Sequence, residues 1–413
     1  MPTSTSERTS STAPAARSKR TALVEFLSTE TLGSVVLLGA VIGALVWANV
    51  SWASYVDVWS RELTIGIGSV AITESLAHWV TDGLMTLFFF VAGLEIKREL
   101  VRGELRNPRA AALPVIAALG GMLMPALLYS LLNAGGGGAH GWGIPMATDI
   151  AFAVAVLAAL GSRVPRPLKL FVLTLAIVDD IGAIVVIAAF YSSGVSLAWL
   201  GGAVLAVGAM VLMRRAGVCR ISAYVVPGIA LWVCMLESGV HATIAGVVLG
   251  LLTPACMVRD RDVIQQLEHR LHPWCTFLVV PVFALASAGV ALDATSLADA
   301  AASTASWGVV LGLAVGKPVG VLLAVLLALG VGVARLPNGV GLRHLIGAGM
   351  VAGIGFTVSL FVADLSFTGA LLQEAKIGIL AASIVSAALG AAFLATTARR
   401  SPGRLARAEE VSR

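Results

Sequence analysis

Residues 167–191 read PLKLFVLTLAIVDDIGAIVVIAAFY, an apolar run with two adjacent aspartates, Asp179 and Asp180, at its centre. A run of this length is long enough to cross a bilayer as one helix. A single aspartate at mid-bilayer costs about 2.5 to 3.5 kcal/mol on insertion scales, so a pair persists only where negative charge is needed at that depth. The stretch therefore predicts a membrane helix that carries a functional site.

The composition indicates that the whole chain is a polytopic membrane protein. Hydrophobic residues make up 58% of the 413 residues, charged residues only 12%, and the mean hydropathy is +0.92. Soluble globular domains carry about 25% charged residues, so that class is excluded. The net charge of +5 is spread over short loops and both tails, so no nucleic-acid partner is expected. The four cysteines show no paired or metal-ligand spacing and are interpreted as small buried apolar residues.

Apolar runs of about 17 to 25 residues predict about twelve membrane spans and an all-α polytopic fold. The runs lie near residues 32–50, 76–96, 111–133, 141–160, 167–191, 195–213, 221–237, 239–255, 273–292, 305–329, 345–364 and 375–396. Lysines and arginines are concentrated in alternate loops and in both tails, which predicts that both termini are cytoplasmic. The predicted parts of the chain are a disordered cytoplasmic N-tail, a transmembrane domain and a cytoplasmic C-tail, at residues 1–30, 31–398 and 399–413 respectively.

Two loops between spans show patterns of their own. Residues 63–72 alternate in polarity around Gly68-Ser69, which predicts a small external β-hairpin whose exposed edge could pair with a second copy of the chain. On the opposite side, one apolar stripe predicts a short helix in the membrane interface, formed by Val263, Ile264, Leu267 and Leu271. An ordinary connecting loop is equally compatible with either pattern.

Glycines interrupt two of the predicted spans. The fourth reads GWGIPMATDIAFA from Gly141, and the eleventh reads GAGMVAGIGFTVS from Gly347. A helix that breaks within the bilayer exposes backbone amides and carbonyls, which is tolerated only where they line a cavity. Two such breaks in opposite halves of a chain indicate a transporter site built from inverted repeats.

Four ionisable residues are expected at one depth beside these breaks, namely Asp149, Asp179, Asp180 and Lys317. The buried ammonium of Lys317 should neutralise one aspartate. Adjacent helix positions differ in direction by about 100°, so Asp179 and Asp180 cannot both face it. One should pair with Lys317 while the other faces an aqueous cavity.

The residue types indicate the kind of ligand. Carboxylates, the hydroxyl of Thr148 and freed backbone carbonyls are the oxygen ligands that small hard cations prefer. Burial favours the protonated form of a carboxylate, so protons would compete with the cation for the same group. Competition at one site, together with alternating access, predicts cation–proton exchange.

Other functions fit parts of this pattern. An intramembrane aspartyl protease would use Asp149 and Asp179, but neither has the Gly-x-Gly-Asp or Tyr-adjacent context that such enzymes need. A cation channel would need weak multi-ion sites instead of a carboxylate pair with a neutralising lysine. A symporter for an organic acid is the nearest rival because broken helices also hold anions, but the excess of aspartates favours a cation.

Titratable residues near the ends of spans are less specific. The set at the end of the second span is typical of a solvated helix terminus: Glu95, Lys97, Arg98 and Glu99. Three histidines could sense pH, although a histidine bonded to loop carbonyls is the commoner case: His241, His269 and His272.

Seven motifs, in family order between residues 31 and 398, resemble those of the NhaA-type sodium/proton antiporters. They are TDGLMTLFFFVAGLEIKREL from Thr81, GWGIPMATDIAFA from Gly141, LAIVDDIGAI from Leu175, ESGVHATIAGVVLG from Glu237, LEHRLHPW from Leu267, GKPVG from Gly316 and GIGFTVSLF from Gly353. Residues 259–266 (RDRDVIQQ) lack the lysine-rich stretch typical of the family there, which leaves the pH threshold open.

The resemblance implies a secondary active transporter, not an enzyme, in the bacterial inner membrane. It would be an electrogenic exchanger that expels Na+, or Li+, by means of inward-moving protons, without a cofactor. The implied fold is a twelve-helix inverted repeat in which spans 4 and 11 are broken and cross.

The resemblance also implies roles for particular residues. Na+ would bind at Asp179 and Asp180, with Asp180 as the principal carboxylate, Asp179 paired with Lys317, and Thr148 and Asp149 close to the ion. A cytoplasmic pH-responsive funnel would contain Glu95, Glu99, Glu268, His269 and His272. The hairpin at residues 63–72 would join two copies of the chain in a homodimer.

Overall fold

The computed structural model describes residues 13–67, 70–192, 194–258 and 261–398, and these are mostly helical. The helices of the first half are α1 (Ala13–Val50), α2 (Trp52–Ser60), α3 (Leu76–His78), α4 (Met85–Arg102), α5 (Pro108–Leu132), α6 (Ile150–Ala159), α7 (Arg166–Phe190) and α8 (Leu197–Arg215). A π-helical turn, Trp79–Leu84, joins α3 to α4, and 3-10 turns are formed by Glu104–Arg106, Ala139–Met146 and Gly161–Arg163.

The second half continues with ten helices in the described residues. They are α9 (Ile221–Glu237), α10 (Thr243–Leu252), α11 (Val263–Trp274), α12 (Val280–Ser287), α13 (Ala294–Ala302), α14 (Thr304–Leu311), α15 (Lys317–Gly330), α16 (Leu342–Ala352), α17 (Phe356–Ser366) and α18 (Gly369–Ala398). The π-helical turns Cys275–Val279 and Gly312–Gly316 join α11 to α12 and α14 to α15.

The all-α polytopic fold is confirmed. Within the described residues, nine helices are long and apolar enough to cross a membrane, and the bent pair α16–α17 makes a tenth, with a 45° bend. The shorter apolar helices α9 and α10 occupy the seventh and eighth predicted spans. At 1.5 Å per residue, the ten-residue α10 is only about 15 Å long, because the chain leaves the helix at Thr253-Pro254. The predicted spans thus correspond to nine long helices, one bent pair and two shorter helices.

The first helix begins at Ala13, inside the segment predicted to be a disordered tail. Residues 15–32 contain neither glycine nor proline and include several alanines, leucines and glutamates, which favour helix. Helix α1 thus includes residues 13–30, and the predicted division of the chain into two tails and a transmembrane domain stays a prediction. The remainder of that tail, residues 1–12, and the predicted C-tail at 399–413 lie outside the described residues.

The predicted hairpin is present between α2 and α3. Strands β1 (Glu62–Ile67) and β2 (Val70–Ser75) are antiparallel, with Thr64 opposite Thr73, while the tip at Gly68-Ser69 lies outside the described residues. A second two-stranded ribbon precedes α11 and consists of β3 (Met257–Val258) and β4 (Arg261–Asp262).

The predicted interfacial helix is present, but its surroundings differ from the prediction. Helix α11 runs through a π-helical turn directly into α12, so that Val263–Ser287 forms one long membrane-length segment. Val263 and Ile264 are each only 2% exposed, because this face packs against the protein, including α4. The stripe was correctly read as helical, but its first residues are covered by protein.

Two cysteines were interpreted incorrectly. Cys219, after α8, and Cys256, before β3, form a disulfide across a Cα–Cα distance of 6.3 Å, whereas Cys234 and Cys275 are free thiols. Their separation of 37 residues gives no recognisable spacing, and only the fold brings the two loops together.

A close crossing of α5 and α15 sets the position of Lys317, the first residue of α15. A Cβ atom added to Gly320 would lie 2.1 Å from the carbonyl oxygen of Gly120, and one added to Gly120 would lie 2.3 Å from the carbonyl oxygen of Gly320. Real side chains never approach backbone that closely. The two helices can therefore touch only because both residues are glycine.

Candidate ion-binding site

The two broken spans meet at their breaks, as the resemblance implies. In one, the chain passes from a 3-10 turn through extended residues 147–149 into α6, and in the other, residues 353–355 separate α16 from α17. The backbone N–H of Asp149 donates to the carbonyl oxygen of Ile354 at 2.6 Å. The side chain of Ser359 donates to the carbonyl oxygen of Ile144 at 2.7 Å. Backbone groups freed by each break are thus satisfied by the other broken span.

Asp149 fastens the two breaks together through its carboxylate. Its Oδ1 accepts from the N–H of Phe152 at 3.0 Å and so caps the first turn of α6. Its Oδ2 accepts from both the backbone N–H and the hydroxyl of Thr357, at 3.0 and 2.6 Å, at the start of α17. The side chain is therefore engaged on both oxygens and primarily holds the geometry of the crossing.

Asp179 is the aspartate that meets Lys317. The Lys317 Nζ lies 2.9 Å from Oδ2 of Asp179, and both side chains are fully buried. Lys317 also donates to the carbonyl oxygen of Met146, which is freed by the break before α6. The Thr148 hydroxyl, with a single proton to donate, lies 2.7 Å from the same Asp179 oxygen and 2.9 Å from the Ala352 carbonyl oxygen. The pair is thus built into the crossing of the broken helices.

Asp180 faces in a different direction, into a narrow cavity. The side chain is 7% exposed and lines a space of about 90 Å³ together with Asp149 and Thr357. The Oδ1 atoms of Asp180 and Asp179 are both buried and have no hydrogen-bond partner among the described residues. Buried carboxylate oxygens are normally partnered, so the unpartnered oxygen of Asp180 at the cavity is a candidate position for a cation or a proton.

The cavity extends from Asp180 toward the arginine-rich end of the bundle, called here the basic end. Its outer lining includes Glu95, Arg98 and His272. On the other side of Asp180, buried aromatic rings pack closely, with ring centroids 5.3 Å apart for Phe89 and Phe361. The cavity therefore leads to Asp180 from the basic end.

Four of the six predicted pH-responsive residues lie around the cavity mouth. Around the cavity mouth, Arg98 forms ion pairs with Glu268 and, at 3.5 Å, with Glu99, while Glu95 and His272 line the cavity itself. His269, on the same helix as Glu268, is exposed to solvent.

His241 is not part of this group. It precedes α10, and its Nε2 lies 2.8 Å from the carbonyl oxygen of Tyr191, at the end of α7 remote from the cavity mouth. The structure therefore gives it a loop-carbonyl partner, which is the commoner of the two interpretations of these histidines.

The interpretation of residues 95–99 as a solvated helix terminus is wrong. Lys97 is only 7% exposed, and its Nζ donates to the carbonyl oxygen of Leu251 at the end of α10. Arg98 is held by Glu268 of α11. The end of α4 is enclosed because α10 and α11 pack against it.

The model of the family described as Na+/H+ antiporter 1 matches residues 24–394. The chain belongs to this family. It is 44% identical over 385 residues to a protein named Na(+)/H(+) antiporter NhaA from Escherichia coli, covering 92% of this chain and 99% of that one. A protein of the same name from Oleidesulfovibrio alaskensis is 42% identical, with 87% and 90% of the two chains covered.

The antiporter fold is also found in a distant solved structure. The sodium proton antiporter MjNhaP1 from Methanocaldococcus jannaschii superposes with a TM-score of 0.52 over 92% of this chain and 98% of that one. The two sequences are only 13% identical, so this likeness concerns the fold alone.

Sequence reasoning missed Thr357 as a site residue. Its hydroxyl and backbone N–H both bind Asp149, and it lines the cavity beside Asp180. The signal was present in the motif GIGFTVSLF, where Thr357 is the first polar residue after the break. A polar residue immediately after a broken helix in the bilayer is a candidate partner for the other break.

Proposed function

We propose that this protein exchanges Na+, or Li+, for protons across the bacterial inner membrane, with Asp180 binding either the cation or a proton. The observation that supports this most directly is the buried carboxylate of Asp180, whose Oδ1 has no partner in the described residues and which lines a narrow cavity. Asp179 beside it is already neutralised by Lys317. The family membership supports the same exchange.

Carboxylate and hydroxyl oxygens would hold the cation. The unpartnered oxygens of Asp179 and Asp180 are the strongest candidates, and the Thr148 hydroxyl lies at the other carboxylate oxygen of Asp179. Asp149 adds negative charge and positions both broken helices, although its own oxygens are occupied. A hard cation such as Na+ or Li+ suits this all-oxygen set. A proton on Asp180 removes the charge that attracts the cation, so the two ions compete.

Electrogenic exchange needs more than one proton-binding group at the site. On Asp180 alone, one Na+ would replace one proton. Exchange of one for one would move no net charge, so electrogenic exchange requires a second proton at the site. The Asp179–Lys317 pair is the nearest group that could supply it, because a cation close to Asp179 weakens its attraction for Lys317.

The one-sided cavity supports alternating access. The positive-inside rule assigns the basic end, and with it both termini, to the cytoplasm, so this conformation would load Na+ from the cytoplasm. Release outside would require the aromatic packing of Phe89, Phe283 and Phe361 to open while the cytoplasmic mouth closes.

The cluster at the cavity mouth supports a role in pH and sodium homeostasis. Arg98, Glu268 and His272 meet where α4 and α11 pack, and a change of protonation there would alter how these helices pack. Glu95, Glu99 and His269 belong to the same surface, and His241 would act separately at the other end.

A homodimer would form through the β1–β2 hairpin. The ribbon has only two strands, so each strand has one edge without a partner in the described residues. Its side chains at residues 61–66 are exposed, and an open edge can pair with the same edge of a second copy.

The protease alternative fits the geometry poorly. An aspartyl protease needs two carboxylates that share one proton and a water. Here Asp149 is bound by Thr357 and Asp179 is paired with Lys317. The two carboxylates are each engaged with another residue.

The test is exchange in everted membrane vesicles, measured as sodium-induced dequenching of a dye that reports the pH gradient. We expect Asp180→Asn to abolish dequenching, whereas the control Asp57→Asn, at a side chain that is 63% exposed, should leave it unchanged. Sodium binding to the purified protein should release protons, and the apparent affinity should weaken about tenfold per pH unit on acidification. An Asp180→Asn variant that still exchanges, or sodium binding that is independent of pH, would contradict the proposal.

A further inference from the structure

A second and larger cavity, of about 660 Å³, lies at the basic end of the bundle and shares no residue with the cavity at Asp180. Three elements form it: the start of α5, the start of α7, and the loop between α15 and α16. Its volume is within the range of about 300 to 1,000 Å³ typical of small-molecule sites.

Two arginines give this cavity a positive charge. Arg109 of α5 and Arg335 of the α15–α16 loop both line it and are both exposed. Neither forms an ion pair with a described carboxylate, and no described aspartate or glutamate lines the cavity. The guanidinium groups are therefore available for an anion, and arginine binds phosphate groups through two parallel hydrogen bonds.

The walls below the arginines are apolar and open toward the lipid-facing surface. Leu113 and Phe171 form a buried floor, whereas Leu170 and Val333 are 42% and 58% exposed. The neighbouring Val331 is 76% exposed. Leu170 lies on the membrane helix α7, where an exposed aliphatic side chain contacts acyl chains, and Val331 and Val333 continue this apolar surface in the loop after α15. The cavity therefore joins a charged mouth to an apolar surface beside the lipid.

We infer that this cavity binds an anionic phospholipid, with the headgroup phosphate between Arg109 and Arg335 and the acyl chains along Leu170 and Val333. The inference rests on the proposed orientation, which places this end of the bundle in the anionic cytoplasmic leaflet. A soluble phosphate would use the two arginines but would leave the apolar wall uncovered. A neutral lipid would cover the wall but would leave the arginines without an anion.

The expected ligand affinity follows from the two charges. A lysine or arginine near an anionic bilayer surface contributes about 1 kcal/mol to binding, so removal of both should weaken binding about 30-fold. The site also joins α7, which carries Asp179 and Asp180, to the loop after α15, the helix that begins at Lys317. Bound lipid should therefore raise the unfolding temperature of the protein.

The experiment measures binding of phosphatidylglycerol and phosphatidylcholine to the full-length protein in neutral detergent, by native mass spectrometry, together with the unfolding temperature. We expect tighter binding of phosphatidylglycerol, a higher unfolding temperature in its presence, and about 30-fold weaker binding by Arg109→Gln/Arg335→Gln. The matched control is Arg163→Gln/Arg343→Gln, at exposed arginines outside the cavity, which should bind as the parent does.

Three results would overturn the inference. They are equal binding of the two lipids, unchanged phosphatidylglycerol binding by the Arg109/Arg335 variant, and displacement of the lipid by inorganic phosphate at the same concentration. The last would identify a site for soluble anions instead. None of these readouts requires ion exchange, so a failure here is distinct from a failure of the proposed antiport.

Discussion

Replacement of Lys317 by methionine tests whether Lys317 and Asp179 are both charged in the folded protein and stabilise each other. Methionine keeps the length and apolar stem of lysine but removes the ammonium. Asp179 would then be a fully buried carboxylate without a counterion, since its partner Nζ at 2.9 Å is gone. Removal of one partner of a buried pair destabilises a protein by about 3 to 5 kcal/mol. The remaining hydrogen bond from Thr148 stabilises the carboxylate, so we expect a loss of about 3 kcal/mol at alkaline pH.

The double variant Lys317→Met/Asp179→Asn separates charge from packing. It leaves no charge at either position of the pair, so most of the stability lost in Lys317→Met should return. The comparison variant is Lys376→Met, whose partner Asp364 lies 2.8 Å away but is 17% exposed, and we expect a smaller loss there because water can reach that carboxylate.

The assay is chemical unfolding of the purified protein in detergent at pH 8.5 and at pH 5.5. In Lys317→Met, acid allows Asp179 to take up a proton, which removes the uncompensated charge. The difference in stability from the parent should therefore shrink as the pH falls. The reasoning would be refuted if the single variant were as stable as the parent at pH 8.5, or if the double variant were no more stable than the single one.

Two further predictions concern packing and the helix crossing. Gly320→Ala should lower the unfolding free energy by about 1 to 3 kcal/mol, because the added Cβ would collide with the backbone of α5. The control is Gly208→Ala, in helix α8 with open space around it, which should be neutral or slightly stabilising. Equal effects at the two glycines would contradict the tight crossing. Thr357→Val should lower stability by about 1.5 to 3 kcal/mol because Asp149 loses a hydroxyl donor. Thr174→Val should change stability little, because the Thr174 hydroxyl donates to the Leu170 carbonyl oxygen of its own helix. Thermal unfolding of the four variants measures both effects on stability. If Thr357→Val were as stable as the parent, the hydroxyl would not stabilise Asp149.

Much of the architecture could be predicted from the sequence because the bilayer imposes simple constraints. Apolar length identifies spans, and glycine clusters identify the places where a span breaks, as at residues 353–355. The depth of Asp179, Asp180 and Lys317 follows from their positions in these runs. Local pattern also predicted the strands of the hairpin at residues 63–72.

Other features could not be predicted because they depend on contacts between distant segments. The disulfide joins Cys219 to Cys256 across two loops, and Thr357 meets Asp149 across 208 residues. The enclosure of Lys97 depends on the short helix α10 packing against α4. None of these pairs has a recurring spacing that a single sequence could reveal.

The sequence by itself determined that the chain crosses a membrane many times and where two spans break, and it predicted that carboxylates and one lysine lie near the middle of their spans. These conclusions follow from the free energy of placing residues in hydrocarbon, which depends on residue type and position along a helix. The residue pattern left open which aspartate meets Lys317, and the resemblance implied Asp179. The tertiary structure shows that Asp179 makes this contact and that Asp180 lines the cavity. The reason is physical: two adjacent residues point about 100° apart, and which of them faces a partner is set by the rotation of α7 against its neighbours, which depends on packing across the whole bundle.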